Sequence, residues 1–229
     1  MGQKVHPTSF RLGIIFPWKS VWFHKKKYAD YLLEDIKVRK LIEAKLRDAA
    51  VARIEIERSE KELRINIFSS RPGIIIGRGG TGIEELKRYI KEHIDSKSDL
   101  KINIEEVRDP HANARLVGLS VAEQLEKRVS FRRAMKQALE RSANAQGVQG
   151  VKIMVSGRLN GAEMSRREWL AKGKMPLHTL RANIDFSRVR ASTTYGTLGV
   201  KVWIYKGEIF EKQVKTQQEA PKPSSRVKK

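Results

Sequence analysis

The chain has 229 residues and carries 47 Lys and Arg against 26 Asp and Glu, a formal charge of +21. Such an excess repels itself within a compact fold and points to a polyanionic partner, nucleic acid first and an anionic membrane surface second. Cysteine is absent, which excludes disulfides, zinc ribbons and thiol catalysis together.

No apolar run approaches the roughly 18 residues of a membrane span. The opening Met1-Gly2-Gln3-Lys4-Val5-His6-Pro7 has neither a signal-peptide apolar region nor the hydroxyl residue at the sixth position that myristoylation needs. A cytoplasmic protein with no membrane partner is expected. Residues 1–27 read as an extended arm, in which Trp18, Trp22 and Phe23 are interleaved with Lys19, Lys25, Lys26 and Lys27. That mixture suits RNA or a neighbouring protein; tryptophans folded back onto the core explain it equally well.

Residues 28–47 predict a helix, with Tyr31, Leu32, Ile36, Ile42 and Leu46 on its apolar side. Two strands follow. Ala52, Ile54 and Ile56 alternate with polar residues, and after a turn at Ser59-Glu60-Lys61-Glu62 so do Leu63, Ile65 and Ile67. Next comes Arg71-Pro72-Gly73-Ile74-Ile75-Ile76-Gly77-Arg78-Gly79-Gly80-Thr81-Gly82. Ile83, Leu86, Ile90 and Ile94 then recur at helical spacing, so the glycine loop opens a helix. Leu100, Ile102 and Ile104 give a third strand.

Three readings compete for the loop. Gly77, Gly79 and Gly82 match G-x-G-x-x-G, but that fingerprint needs a strand running into its first glycine, and Pro72-Gly73 leaves only three isoleucines. A phosphate-binding P-loop fails, because Ile83-Glu84 stands where Lys-Ser/Thr is required. The third reading is a short helix at 74–76, a Gly-x-x-Gly clamp of Gly77, Arg78, Gly79 and Gly80, and a long helix. That unit is the KH module, which holds single-stranded nucleic acid by its backbone. A plain glycine turn fits the motif as well. The order helix–strand–strand–helix–GXXG–helix–strand is that of a type II KH domain, and it decides for KH over residues 28–108.

Arg108-Asp109-Pro110 marks a boundary, since proline bars a continued strand. Residues 109–210 then read as a two-layer α/β domain. Its first helix lines Leu116, Leu119, Ala122 and Leu125 on one side. Ser130 can cap the second, whose stripe is Phe131, Met135, Ala138, Leu139 and Ser142. Strands are expected at 151–156, roughly 180–186 and 200–205, with a Gly-, Arg- and Lys-rich loop at 157–177. Residues 211–229 hold six Lys/Arg and two Asp/Glu among prolines and serines, the composition of a disordered basic tail.

Two cationic groups stand out. Arg132, Arg133 and Lys136 reach one helical surface. Arg132 and Arg133 oppose the helix dipole if Ser130 caps the helix, at roughly 0.3–1 kcal/mol each. Arg158, Arg166, Arg167, Lys172 and Lys174 cluster on or beside the loop and are expected to meet phosphates. Trp203 and Tyr205 beside Lys201 either stack bases or cover the sheet where the helices do not. His6, His24, His93, His111 and His178 lack metal-ligand spacing, and His178 reads as a structural hydrogen-bonding residue. Neither a cofactor, a metal nor a small-molecule substrate is expected.

Several blocks carry a family resemblance. The opening heptapeptide, the loop from Arg71 to Gly80, Phe131-Arg132-Arg133-Ala134-Met135-Lys136, Ser156-Gly157-Arg158-Leu159-Asn160-Gly161-Ala162-Glu163, Pro176-Leu177-His178-Thr179-Leu180-Arg181-Ala182, Thr193-Thr194-Tyr195-Gly196 and Gly199-Val200-Lys201-Val202-Trp203-Ile204 resemble the bacterial small-subunit ribosomal protein S-three family. The resemblance spans nearly the whole chain apart from the tail. It implies a type II KH domain and an α/β domain in the head of the small subunit. It implies small-subunit rRNA, incoming mRNA, and the ribosomal proteins S-ten and S-fourteen as partners, with the Phe-Arg-Arg-Ala-Met-Lys block aiding mRNA unwinding. The family often has two cations inside its GXXG; here Arg78 stands beside Gly79, which implies a weaker phosphate grip. A free-standing KH-type RNA chaperone or regulator is the alternative, and a nucleotide-dependent enzyme is third.

Overall fold

The computed structural model describes residues 4–59, 62–94 and 99–210. In chain order these form α1 (Pro7–Phe10), β1 (Ser20–Val21), α2 (Tyr28–Lys45), β2 (Val51–Arg58), β3 (Glu62–Ser69), α3 (Pro72–Ile76), α4 (Thr81–His93) and β4 (Asp99–Glu106). The second half adds α5 (Ala114–Glu126), α6 (Phe131–Ala143), β5 (Gly150–Gly157), β6 (Arg166–Gly173), β7 (Ala182–Thr193) and β8 (Gly196–Glu208). The α+β class and the KH order of elements are as the sequence predicts. Residues 60 and 61, in the turn between the first two predicted strands, and the basic tail at 211–229 lie outside the described residues.

The first sheet has the order β1-β2-β3-β4. β2 and β3 are antiparallel with Ile56 opposite Ile65, and β4 runs parallel to β3 with Ile102 opposite Ile65. The two-residue period sends Ile54, Ile56, Leu63, Ile65, Ile67 and Leu100 into one core with Val38 and Ile42 of α2 and Leu86 and Ile90 of α4. Each such side chain contributes about 1.5–3 kcal/mol by leaving water.

Two readings of this half need correction. On α2 the buried residues are Asp35, Val38 and Ile42, while Leu32 and Ile36 are each 41% exposed. The reason is a charge beneath the helix. Arg58, its side chain 3% exposed, donates to Asp35 at 3.0 Å and also to Glu34, so the helix turns acids inward. The arm, expected to be extended, forms α1 and then β1, which adds a parallel two-residue edge to β2. Trp22 folds back, its Nε1 donating to Asp35 at 2.8 Å, whereas Trp18 is 66% exposed.

Arg11 ties the arm to the second half. It is fully buried and donates to the carbonyls of Pro7 (2.9 Å), Leu177 (3.0 Å) and Thr179 (2.8 Å). At the arm's other end Arg39 of α2 donates to the Lys19 carbonyl, and so does the Ile56 amide.

The second sheet has the order β6-β5-β8-β7 and is antiparallel throughout. Val151, Ile153, Val155, Val200, Val202 and Ile204 face α5 and α6, giving the expected two layers. The predicted loop at 157–177 contains β6, an edge strand paired with β5 over its whole length. Its residues are intermediate or exposed, so it shows none of the apolar alternation that signals a half-buried strand. β7 and β8 outrun the predicted 180–186 and 200–205 at their shared end because a tight turn at Thr194–Tyr195 joins them into one long hairpin, which Thr193 braces by donating to Gly196 O at 2.7 Å.

Replacing Arg58 with alanine leaves Asp35 and Glu34 facing each other beneath α2. Removing one partner of a buried pair costs about 3–5 kcal/mol, and urea unfolding of the full chain is expected to show a loss of that size.

Candidate nucleic-acid interface

The glycine loop joins α3 to α4. Gly77 ends α3 at φ 69°, ψ −177°, a backbone region open only to glycine. Gly79 (φ 62°) and Gly80 (φ 84°) are left-handed. Gly80 is the N-cap of α4 and brings no side chain to cap it; the Thr81 amide donates to the Arg78 carbonyl, which leaves the next amides of the first turn available to an acceptor. A dipole end rich in free N–H groups favours an anion. Arg78 is exposed within the loop, while Thr81 Oγ1 turns back to the Arg78 carbonyl at 3.0 Å and holds the turn.

Gly82, which the fingerprint reading treats as a third phosphate glycine, does something else. A Cβ there would stand 2.5 Å from the Ile75 carbonyl oxygen. α3 and α4 therefore cross in backbone contact, and this crossing aims the loop outward. Space beside Gly79 and Gly80 is open. The element before Gly77 is a helix, which disposes of the dinucleotide fingerprint.

The second cationic group lies where α6 meets β6. Ser130 stands at the N-cap of α6, but its hydroxyl makes no capping bond, and the first turn holds no acid. The stripe Phe131, Met135, Ala138, Leu139 and Ser142 is buried as predicted, which leaves Arg132, Arg133 and Lys136 exposed. Arg132 contacts Glu168 of β6 at 3.3 Å, and Glu168 also holds Arg166 at 3.5 Å. Both guanidinium groups lie 5.6 Å from the Phe131 ring centroid. Arg133 and Lys136 have no ion-pair partner among the described residues.

The predicted phosphate cluster is split. Arg166 and Arg167 adjoin the α6 stripe on opposite faces of β6. Lys172 is six residues further along, about 20 Å at strand spacing. Lys174 lies beyond the strand, beside an open cavity of 710 Å³ with Gln149, Tyr205 and Phe210. Arg158 braces the fold, donating to Ala162 O at 3.0 Å and Tyr195 O at 3.3 Å. His178 is exposed and makes no hydrogen bond among the described residues, so the structural role expected of it is absent. Sequence reasoning missed β6, and with it Trp169, which is 58% exposed.

Among the described residues no group of three or more His, Asp or Glu is placed to hold a metal ion, and no helix is long and apolar enough to cross a membrane.

Comparison with known proteins adds the family to this geometry. Residues 37–112 match the KH domain, and residues 121–204 match the ribosomal protein S3, C-terminal domain. The small ribosomal subunit protein uS3 of Desulfosudis oleivorans is 53% identical over 94% of the chain and 99% of its own length. That of Desulfatibacillum aliphaticivorans is 51% identical over 98% of the chain and its own full length. The chain belongs to the uS3 family. That family is one of ribosomal proteins, structural and not enzymatic, so the nucleotide-dependent reading of the glycine loop falls. The uS3 relative of Ligilactobacillus salivarius is 52% identical over 92% of the chain and 95% of its own length.

The crossing at Gly82 is testable. Gly82→Val overpacks backbone against backbone and is expected to cost roughly 2–3 kcal/mol. Gly79→Asn, in open space and in a conformation asparagine tolerates, is expected to cost less than about 1 kcal/mol. Thermal unfolding compares the two; equal losses would mean that the helices do not depend on their close approach.

Proposed function

We propose that the chain is a structural constituent of the small ribosomal subunit, in the cytoplasm. It binds small-subunit rRNA in the head and meets mRNA where message enters. The observation that carries this reading is the outward-aimed Gly77–Arg78–Gly79–Gly80 turn, with uncapped α4 amides behind it, in a member of a ribosomal family. Its grip is on phosphate and sugar, which positions RNA without reading sequence.

Arg132, Arg133 and Lys136 form the second contact. In this reading they hold single-stranded message and oppose re-pairing, while translocation supplies the work. Arg133, unpaired among the described residues in an acid-free first turn, and Lys136 beside it support the reading, because that turn would be more stable with glutamates. Arg166 extends the same surface along β6, Arg167 meets phosphate on the strand's opposite face, and Lys172 and Lys174 reach phosphates further off. Arg158 contributes indirectly, through the turn it braces. The protein neighbours S-ten and S-fourteen, implied by the family resemblance, are assigned in the same reading to the arm and α2. Phe23 there is 83% exposed and Leu33 57%, apolar surface that a protein partner would cover.

Gly79→Asp with Gly80→Asp puts two anions where phosphate should lie, in left-handed conformations that aspartate tolerates. The folded variant is expected to lose most of its RNA affinity in a filter-binding titration; wild-type affinity would remove the loop from the site. The wild-type affinity itself should fall linearly with salt on a log–log plot, by roughly 0.7–0.9 per neutralised phosphate.

Replacing Arg132, Arg133 and Lys136 with alanine should leave the fold intact and subunit assembly competent. Translation through a stable mRNA hairpin should slow, while unstructured message is read at the normal rate. Equal rates on both messages would reduce the stripe to a solvated face or an rRNA anchor.

A further inference from the structure

The face of the second sheet turned away from α5 and α6 is only partly covered. At its lower end Tyr205, Ile184 and Ala182 are buried with Met175 and Leu177, and His6 of the arm packs edge-on against Phe186 at 4.7 Å. Above that lie three cross-strand rows, the first of them partly covered at its Trp203 and Phe186 end. They are Ala171–Lys152–Trp203–Phe186, Trp169–Met154–Lys201–Arg188 and Arg167–Ser156–Gly199–Arg190. These rows hold five cations and no Asp or Glu. Every carboxylate of the same strand stretches points to the other face, Glu168 to Arg132 and Asp185 to the Ala114 amide.

Charge alone would suit any polyanion. The aromatic rings narrow the choice. Trp169 shows a flat, 58% exposed ring on the edge strand. Lys152 Nζ lies 4.7 Å from its centroid and 5.6 Å from that of Trp203, so one ammonium is wedged between two indoles. A cation against each ring face fixes the indoles in place. Gly199 and Ser156 leave the top row without bulk. An exposed ring flanked by cations on an otherwise open sheet accepts an unpaired base by stacking while the cations take the phosphates. A duplex hides its base faces and gains nothing from the rings.

We propose that this open face is a stacking platform for single-stranded RNA, with Trp169 as the base-contacting ring and Arg188, Arg190 and Lys201 as phosphate contacts. The proposal builds on the RNA-binding reading above but does not use the α6 stripe. The two surfaces share β6, whose Arg166 faces α6 and whose Arg167 and Trp169 face the platform. A strand leaving the stripe can therefore turn over this edge and continue on the sheet.

The test uses the full-length chain and two probes with equal numbers of phosphates, a roughly 12-nucleotide oligoadenylate and a short RNA duplex. Trp169→Ala is expected to weaken single-strand binding about tenfold and to leave duplex binding within about twofold. Trp169→Phe, which keeps a ring, should recover most of the loss. Arg188→Glu with Lys201→Glu leaves the rings in place and should weaken both probes. Wild-type single-strand affinity in either variant, or an equal loss on both probes in Trp169→Ala, would overturn the platform and leave the face to an acidic protein segment. The Arg132, Arg133 and Lys136 alanine variant is titrated alongside. If it alone binds as wild type, the message-holding stripe fails and the platform stands.

Discussion

A net charge of +21 on 229 residues has to be arranged so that the chain folds at all. The solution visible here is to set carboxylates at the seams. Asp35 and Glu34 meet Arg58 beneath α2. Across the contact between the two halves Glu43 meets Arg115 at 3.2 Å and Glu126 meets Arg47 at 3.3 Å, while Glu126 also accepts from the Ser192 amide at 2.9 Å within the second half. Glu168 joins α6 to the edge strand. With acids drawn into these joints, the outward surfaces keep their cations. The exposed pairs among them are individually weak; their main effect is to segregate charge. A polyanion then completes the neutralisation that the fold leaves undone.

The arm belongs to the same scheme. It crosses from the first sheet, where β1 pairs with β2, to the second, where Arg11 meets the carbonyls of Leu177 and Thr179. Burying a guanidinium is costly unless its donors are met. Three backbone carbonyls, from α1 and from the 175–180 segment, meet its two terminal nitrogens, while its Nε has no partner among the described residues, so neither segment is free to leave without the other. One consequence reaches the RNA-facing surfaces. His6 covers Phe186 and so sets the lower limit of the open sheet face. Lys4, just before it, joins burial in holding the Lys152 ammonium below the ordinary lysine range, with burial the larger cause.

How far the molecule could be read in advance depends on where local pattern and tertiary structure agree. β2, β3, α4 and the buried stripe of α6 were legible, because each is half-buried and its period appears directly in the sequence. The helix–GXXG–helix unit was legible for the same reason, together with its positive-φ glycines. β6 was not, since an edge strand exposed on both faces has no apolar alternation to display. The inward face of α2 was also hidden. Its partner is Arg58, 23 residues beyond Asp35, and no helical period announces a buried acid. The role of Gly82 at the crossing of α3 and α4, and the division of the β6 cations between two faces, follow from packing and register that no single stretch encodes.

The measurement that bears most directly on the central claim is electron cryomicroscopy of small subunits containing this chain, engaged on a structured message. The expected map has RNA phosphate oxygens about 3 Å from the amides at the start of α4 and from the guanidinium groups of Arg132 or Arg133. A map in which the Gly77–Gly80 turn and the first turn of α6 both face solvent or protein would contradict it.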